Sequence, residues 1–248
     1  MNIFDDLTFE KFRKLALDKS ISNFNKVGFP DSYRQGKEKY IFEDIIQKVK
    51  NLDSRNQKVL DIGPGCSELP VFIIDYLEKK NSELTLIDSI EMLNQLPDKD
   101  HVVKIPGMFP NDFRDFCQNM RGKFNAIISY SVIQYAFSES NLWSFLDDCL
   151  LMLDVQGELL LGDIPNISMR NRFFESEEGI KSHRKYTGDP EALPKVVHNK
   201  VQKNFMDDSV CLSIISRARL NGFHAWLIPQ NEKLTFSNRR EDILIKRP

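Results

Sequence analysis

The feature that most constrains this sequence is the short apolar run Val59–Ile62, which is followed directly by two glycines, Gly63 and Gly65. An apolar run of this length that ends at glycines predicts a buried parallel strand entering a tight turn. Glycine allows such a turn to adopt a positive φ, and it allows a ligand to approach the backbone because there is no Cβ. We therefore expect a ligand site where this strand ends.

A second apolar run, Leu84–Ile87, leads into the carboxylate of Asp88. Asp88 follows Gly65 at close to the roughly 20-residue spacing at which the acidic residue of a Rossmann-type fold meets a ribose hydroxyl. The glycine turn and this acid together predict an adenosine-containing cofactor.

The residue three positions after Gly65 helps to distinguish between possible cofactors. A dinucleotide fingerprint has a third glycine three residues after the second, and here that position is Glu68. A carboxylate at the start of a helix repels a pyrophosphate, which binds there because the helix dipole and the free N–H groups favour anions. A ligand without phosphate fits better, and a nicotinamide-dependent oxidoreductase is kept as the alternative.

Asp61, Gly63, Gly65 and Asp88 resemble the cofactor motifs of class I S-adenosylmethionine (SAM)-dependent methyltransferases. The resemblance implies that Asp61, Gly63, Pro64 and Gly65 surround the methionine part of the cofactor and that Asp88 takes the ribose hydroxyls. It also implies a set of residues beside the ribose, the adenine and the sulfonium: Ser89, Met92, Met108, Phe109 and Ser129.

The sequence departs from that family pattern after the third strand. The family usually has an acidic residue beside the adenine, whereas this chain has Gly107, Met108 and Phe109. Backbone groups of Met108, with sulfur and aromatic contacts, would then hold the base. Simple core packing of Met108 and Phe109 is the alternative interpretation.

Composition excludes several classes of partner. The 248 residues carry a net charge of −2, which provides no electrostatic footprint for a phosphate backbone. The motif of enzymes that methylate nucleobase or glutamine amino groups, Asp/Asn/Ser-Pro-Pro-aromatic, is missing after the fourth strand, so nucleic acid is not an expected acceptor. Four scattered cysteines indicate a reducing compartment and no structural metal. With no signal peptide or membrane span recognisable in the sequence, we expect a cytoplasmic protein.

The order of apolar runs predicts the fold class. Strand and helix patterns alternate from Lys58 to Gly162, which predicts a doubly wound, mostly parallel α/β sheet. Two closing strands, Phe223–Ile228 and Asp242–Ile245, follow without a helix between them, as in the seven-stranded class I methyltransferase sheet. Residues 1–56 are predicted to be a helical cap, and residues 57–248 the methyltransferase domain. The polar segment of about 163–205 is predicted to be an acceptor-side insert.

Catalytic residues are harder to predict than cofactor residues, because an in-line methyl transfer depends on alignment and needs a base only for a protonated nucleophile. Three residues are candidates. Tyr130 follows the fourth strand, with aromatic packing as the alternative. Asp163 closes the fifth strand. His183 lies in the insert, where it could act as a general base at neutral pH or be merely solvated.

The insert is rich in basic residues, which predicts a small acceptor with a phosphate or carboxylate. These residues are Arg170, Arg172, Lys181, His183, Arg184 and Lys185. A longer pattern resembles a group of bacterial methyltransferases associated with surface-sugar biosynthesis, which implies a sugar or nucleotide-sugar acceptor. It rests on Gly28–Arg34, Asp61–Pro70, Tyr130–Tyr135, Gly162–Asn166 and Asn238–Asp242. Because these motifs indicate binding and not turnover, a non-catalytic SAM-binding partner protein is a further alternative.

Overall fold

The computed structural model describes residue 4, residues 6–198 and residues 204–248. One seven-stranded sheet organises the chain, in the order β3-β2-β1-β4-β5-β7-β6. All neighbouring strands are parallel except that β7 runs antiparallel to both β5 and β6. The strands are β1 Lys58–Ile62, β2 Glu83–Asp88, β3 Val102–Pro106, β4 Phe124–Tyr130, β5 Leu153–Pro165, β6 His224–Pro229 and β7 Arg240–Lys246. The predicted fold class and the closing antiparallel hairpin are confirmed.

Helices precede the sheet and cover both of its faces. They are α1 Phe9–Leu17, α2 Asn23–Lys26, α3 Asp31–Arg34, α4 Glu38–Lys48, α5 Glu68–Lys79, α6 Ile90–Leu93, α7 Arg114–Asn119, α8 Ile133–Glu139, α9 Leu142–Met152, α10 Ile167–Glu175, α11 Glu177–Thr187 and α12 Asp208–Leu220, with a 3₁₀ helix at Lys50–Asp53. Within the described residues, no helix combines the length and the apolar character needed to cross a membrane.

The hydrophobic core lies in two layers because the central strands are buried on both faces. On one face, Leu60 and Ile127 belong to a cluster with side chains of α7, α9 and α12. On the other face, Val59 and Ile128 pack with side chains of α4 and α5. Successive residues of β1 and β4 therefore alternate between the two layers, which explains why their sequences are almost continuously apolar.

The predicted insert contains two regular helices, α10 and α11, although its sequence is polar and contains several prolines. The Asn166 side chain caps α10 by accepting bonds from the amides of Ser168 and Met169. The Ser176 side chain caps α11 by accepting a bond from the Gly179 amide. These local caps account for two helices in place of a loop. Part of the predicted insert, residues 199–203, lies outside the described residues, and the division into cap, domain and insert stays a prediction.

The strand order determines where a ligand can bind. The chain winds outward from β1 through β2 to β3 and then returns to place β4 on the other side of β1. Ligands of open α/β sheets bind beyond the carboxyl ends of the strands at this reversal. Here the reversal lies between Ile62, the last residue of β1, and Tyr130, the last residue of β4.

Candidate functional site

A cavity lies at this reversal, and its space amounts to about 950 Å³ when the open mouth is included. Many of the predicted cofactor residues line it, namely Gly63, Pro64, Gly65, Asp88, Met92, Met108 and Phe109. Three others do not. Asp61 is buried in β1, the Ser89 hydroxyl accepts a bond from the Met92 amide, and the Ser129 hydroxyl donates to the Ile62 carbonyl. These three support the wall of the cavity.

The glycine turn is joined directly to the acid at the end of β2. The Gly65 amide donates a 2.9 Å hydrogen bond to Oδ2 of Asp88, and the Ser89 amide donates to Oδ1 at 2.6 Å. Gly65 has a φ of +69°, and a Cβ built on it would lie 2.6 Å from Cγ1 of Val27 in the cap. Glycine is therefore required here by backbone conformation and by packing, in addition to any ligand contact.

Two carboxyl groups give this end of the cavity its electrostatic character. Burial, followed by the charge of Asp88, raises the pKa of Asp61 to about 8. Burial also raises the pKa of Asp88 to about 6, against the two backbone hydrogen bonds that lower it. Removing a carboxylate from water disfavours its charged form, and a cation bound nearby would favour it again. Of the two groups, Asp88 lines the cavity, where a bound cation would stabilise its charged form.

The N-terminal helices form the outer wall of the cavity. Phe9, Phe12, Val27 and Phe29 all line it. Three contacts hold α1 in place: Arg13 pairs with Glu91 of α6 at 2.7 Å, the Phe12 ring meets Tyr135 edge-on at 5.0 Å, and the Phe9 amide donates to Glu139 at 3.0 Å. These helices belong to residues 1–56, for which the sequence predicts a helical cap. The helical spacing of Phe9 and Phe12 was the available signal.

Arg34 and Glu38 provide opposite charges inside the cavity. Both residues line it and both are buried, with 6% and 1% of their surfaces exposed. The Glu38 Oε2 atom accepts a 2.6 Å bond from the amide of Leu69 at the start of α5. Its Oε1 atom is buried and has no hydrogen-bond partner among the described residues. This acceptor and the Arg34 guanidinium line the same cavity, which suits a ligand with an ammonium and a carboxylate, such as an amino acid moiety.

A buried network connects this wall to the end of β5. The Asp163 carboxylate accepts bonds from Arg240 at 2.5 Å, from Arg34 at 3.3 Å and from the Ser131 hydroxyl. Ser131 and Asp163 adopt φ values of +62° and +59°, which are uncommon for residues other than glycine and mark a strained, held conformation. Ser131 lines the cavity, whereas Asp163 lies behind it. The geometry thus gives Asp163 a positioning role toward Ser131 and Arg34.

The other two catalytic candidates occupy different places. Tyr130 lines the cavity, and burial, followed by the charge of Asp163, raises the pKa of its phenol well above the ordinary value, so it remains protonated. His183 lies on α11, where it meets the Phe174 ring edge-on at 6.1 Å, and it does not line the cavity. The structure therefore does not bring His183 together with the cofactor residues.

The predicted basic residues of the insert are also separated from this cavity, since none of the six lines it. Arg172 forms an ion pair with Asp208 at 2.6 Å, Arg184 donates to the Ala192 carbonyl, and Lys181 and Lys185 are exposed. Arg170 stacks over Phe174 with 4.8 Å between the guanidinium carbon and the ring centroid. In the described part of the chain, no group of His, Cys, Asp and Glu side chains is arranged to hold a metal ion.

Solved structures similar to this one are methyltransferases. The plantazolicin methyltransferase BpumL, in complex with a triazolic desmethylPZN analog and SAH, aligns over 97% of both chains with a TM-score of 0.58 and 14% identity. The CurJ carbon methyltransferase aligns over 93% of this chain with a TM-score of 0.55 and 16% identity. A putative O-methyltransferase from Nostoc punctiforme aligns over 96% with a TM-score of 0.54 and 14% identity.

The chain spans 62% of the length of the CurJ protein and 60% of that of the Nostoc protein. No protein-family model matches the sequence, and no curated protein matches it significantly. At these identities the likeness concerns the fold alone, and it shows a Rossmann-like class I methyltransferase fold.

Proposed function

We propose that this protein is a SAM-dependent methyltransferase. The observation that carries the proposal is the bond between the Gly65 amide and the Asp88 carboxylate, which puts the glycine turn and the acid after β2 side by side at the switch point of the sheet. BpumL, of the same fold, was crystallised with SAH, the product that remains when SAM loses its methyl group. That complex supports the same cofactor here.

The residues of the cavity fit each part of such a cofactor. Asp88 can accept hydrogen bonds from the two ribose hydroxyls, and Met108 and Phe109 offer sulfur and aromatic surface to a base. Arg34 and the unpaired oxygen of Glu38 suit the carboxylate and the ammonium of a methionine moiety. Bound SAM would supply an activated methyl group. The protein's part is then to exclude water under α1 and to align the acceptor near Ser131 and Tyr130.

The same residues count against the nicotinamide-dependent oxidoreductase. In dinucleotide-binding folds a pyrophosphate sits at the N-terminus of the helix that follows β1. In this chain the Glu38 carboxylate already accepts a bond from the Leu69 amide at that helix terminus. A pyrophosphate there would have to displace a buried carboxylate or lie against it, and both are electrostatically costly.

The proposal for the acceptor rests on the sequence. The resemblance to methyltransferases of surface-sugar biosynthesis supports a small polar acceptor, such as a sugar or nucleotide sugar, that the protein methylates in the cytoplasm. The solved neighbours point to other chemistries, since BpumL was crystallised with desmethylPZN analogs. An assay of SAH release with a panel of sugars, nucleotide sugars and azole peptides compares these classes directly. SAM binding without SAH release for every acceptor would favour the non-catalytic partner protein.

Calorimetric titration tests the cofactor itself. We expect SAM and SAH to bind the wild-type protein and NAD not to bind. The Asp88→Asn variant should bind SAM more weakly, because an amide is a poorer acceptor for the ribose hydroxyls than a carboxylate. Binding of NAD in place of SAM would overturn the proposal.

A further inference from the structure

Two arginines of the acceptor side lie together on a shared aromatic surface. Arg239, which directly precedes β7, stacks over Phe236 at 4.7 Å and over Phe174 at 5.5 Å. Arg170 of α10 stacks over the same Phe174 ring at 4.8 Å. We refer to Arg170 and Arg239 as the insert arginine pair. Aromatic contacts of this kind restrict the guanidinium planes without neutralising their charge.

The neighbouring Arg34 and Arg240 have a carboxylate partner, whereas the insert arginine pair has none within the described residues. Arg34 and Arg240 share the carboxylate of Asp163. Among the described residues, no ion pair is found for Arg170 or Arg239, whose hydrogen bonds go to the Lys195 carbonyl and the Asn238 amide oxygen.

The pKa values reflect this difference in pairing. Burial, and then the charges of Arg240 and Arg170, lower the pKa of Arg239. By contrast, the hydrogen bond to Asp208 raises the pKa of Arg172. Two positive charges therefore lie close together at Arg170 and Arg239, with no carboxylate partner in the part of the chain that the structure describes.

The pair lies at the edge of the sheet that carries the cofactor cavity. Arg240, the first residue of β7, pairs with Pro165 at the carboxyl end of β5, and α10 begins just beyond that end. Arg240 also binds Asp163, which accepts the hydroxyl of Ser131 in the cavity wall. A molecule held by Arg170 and Arg239 would thus lie beside Arg240, which is linked through Asp163 to the cavity wall.

We propose that Arg170 and Arg239 bind the oxyanion of the acceptor, a phosphate or a carboxylate. This inference rests on the proposed function, because it assumes an acceptor that is methylated in the adjoining cavity. Planar guanidinium groups match the spacing of two oxygens in such anions and form strong charge-assisted bonds. The proposed anion site therefore consists of Arg170, which is one of the six basic residues named from the sequence, and Arg239, which is not among them.

Calorimetric titration with inorganic phosphate, citrate and a neutral sugar tests the site, because the first two distinguish phosphate from carboxylate. We expect the wild-type protein to bind at least one of the two anions and not the neutral sugar. Arg170→Gln and Arg239→Gln should each weaken that binding by about tenfold, the scale of one lost charged hydrogen bond. Arg172→Gln is the matched control, since Arg172 lies on the same helix and already has a carboxylate partner. It should leave anion binding unchanged.

SAM titration on the same variants separates the two proposals. SAM affinity should be equal in all of them, because neither arginine lines the cofactor cavity. Anion binding that is equal in wild type, Arg170→Gln and Arg239→Gln would overturn the anion site, as would no anion binding by the wild type. If Arg239→Gln fails to fold, Arg170→Gln decides the question. If the wild-type protein does not bind SAM, the proposed function is contradicted instead.

Discussion

The Gly65 amide donates a 2.9 Å hydrogen bond to the carboxylate of Asp88, which joins the turn after β1 to the end of β2. The fold itself therefore holds this acid beside the glycine turn. Pre-orientation of this kind lowers the ordering cost of binding. It also means that Asp88 has a structural bond of its own besides any bond to a ligand.

Replacement of Asp88 by alanine should weaken SAM binding by about 1.5–3 kcal/mol, because hydrogen bonds to a charged group are lost. The measurement is calorimetric titration. Asp98→Ala is a suitable control, since the Asp98 side chain is 96% exposed and pairs only with Lys104 at the surface. Equal SAM affinity in Asp88→Ala and wild type would show that Asp88 does not take the ribose.

Substitution of Gly65 should affect folding as well as binding. An alanine there meets the left-handed backbone cost of about 1–2 kcal/mol and, in addition, a contact of 2.6 Å with Val27. Gly222→Ala has a comparable φ of +86° but no atom within 4 Å of the new Cβ. In urea denaturation, Gly65→Ala should lose more stability than Gly222→Ala. Equal losses would mean that the cap yields at Val27.

The stability of the protein should depend on Asp61 in a defined direction. Its pKa is raised from 3.8 to about 8, so between these values the unfolded state is ionised and the folded state keeps the proton. The folded state then binds more protons, and this contribution to stability falls as the pH rises through that window. Asp61→Asn should therefore raise the unfolding midpoint more at about pH 8 than at about pH 4. A uniform shift at both values would contradict this account.

Neutralising Asp163 should be strongly destabilising. The Asp163→Asn variant leaves the buried Arg34 and the largely buried Arg240 without a carboxylate, and breaking a buried pair in this way costs about 3–5 kcal/mol. Asp147→Asn provides the comparison, because its pair with Arg217 is about two-fifths exposed and is expected to contribute about 1 kcal/mol or less. Chemical denaturation of both variants measures the difference. Similar small losses in the two would show that water reaches the Asp163 network.

The parts of the fold that the sequence predicted are those encoded by neighbouring residues. The predicted runs Val59–Ile62 and Leu84–Ile87 are the strands Lys58–Ile62 and Glu83–Asp88, correct to within one residue at each end. Buried parallel strands leave a continuous apolar run, and glycines mark where such strands end, so both signals are local. The predicted cofactor residues along the cavity follow from the same strand ends.

Other elements could not be predicted because their reason lies elsewhere in the chain. Helix α8, Ile133–Glu139, was missed. The segment is short, and its role becomes visible only in the tertiary contact between Tyr135 and Phe12 of α1. His183 of the insert was a candidate general base, with a solvated histidine as the alternative. The insert folds into helices in which His183 meets Phe174. Residues far apart in sequence meet only when the sheet has brought their elements together.

From the amino acids alone one obtains the succession of strands along the chain, the glycine turn and the acid after β2, because strand periodicity and turn chemistry are properties of short segments. The closed cavity, the pairing of Arg34 with Asp163 and the unpaired charges of Arg170 and Arg239 depend on the folded chain. Burial and charge balance are set by neighbours from distant segments, and no short stretch of sequence contains that information.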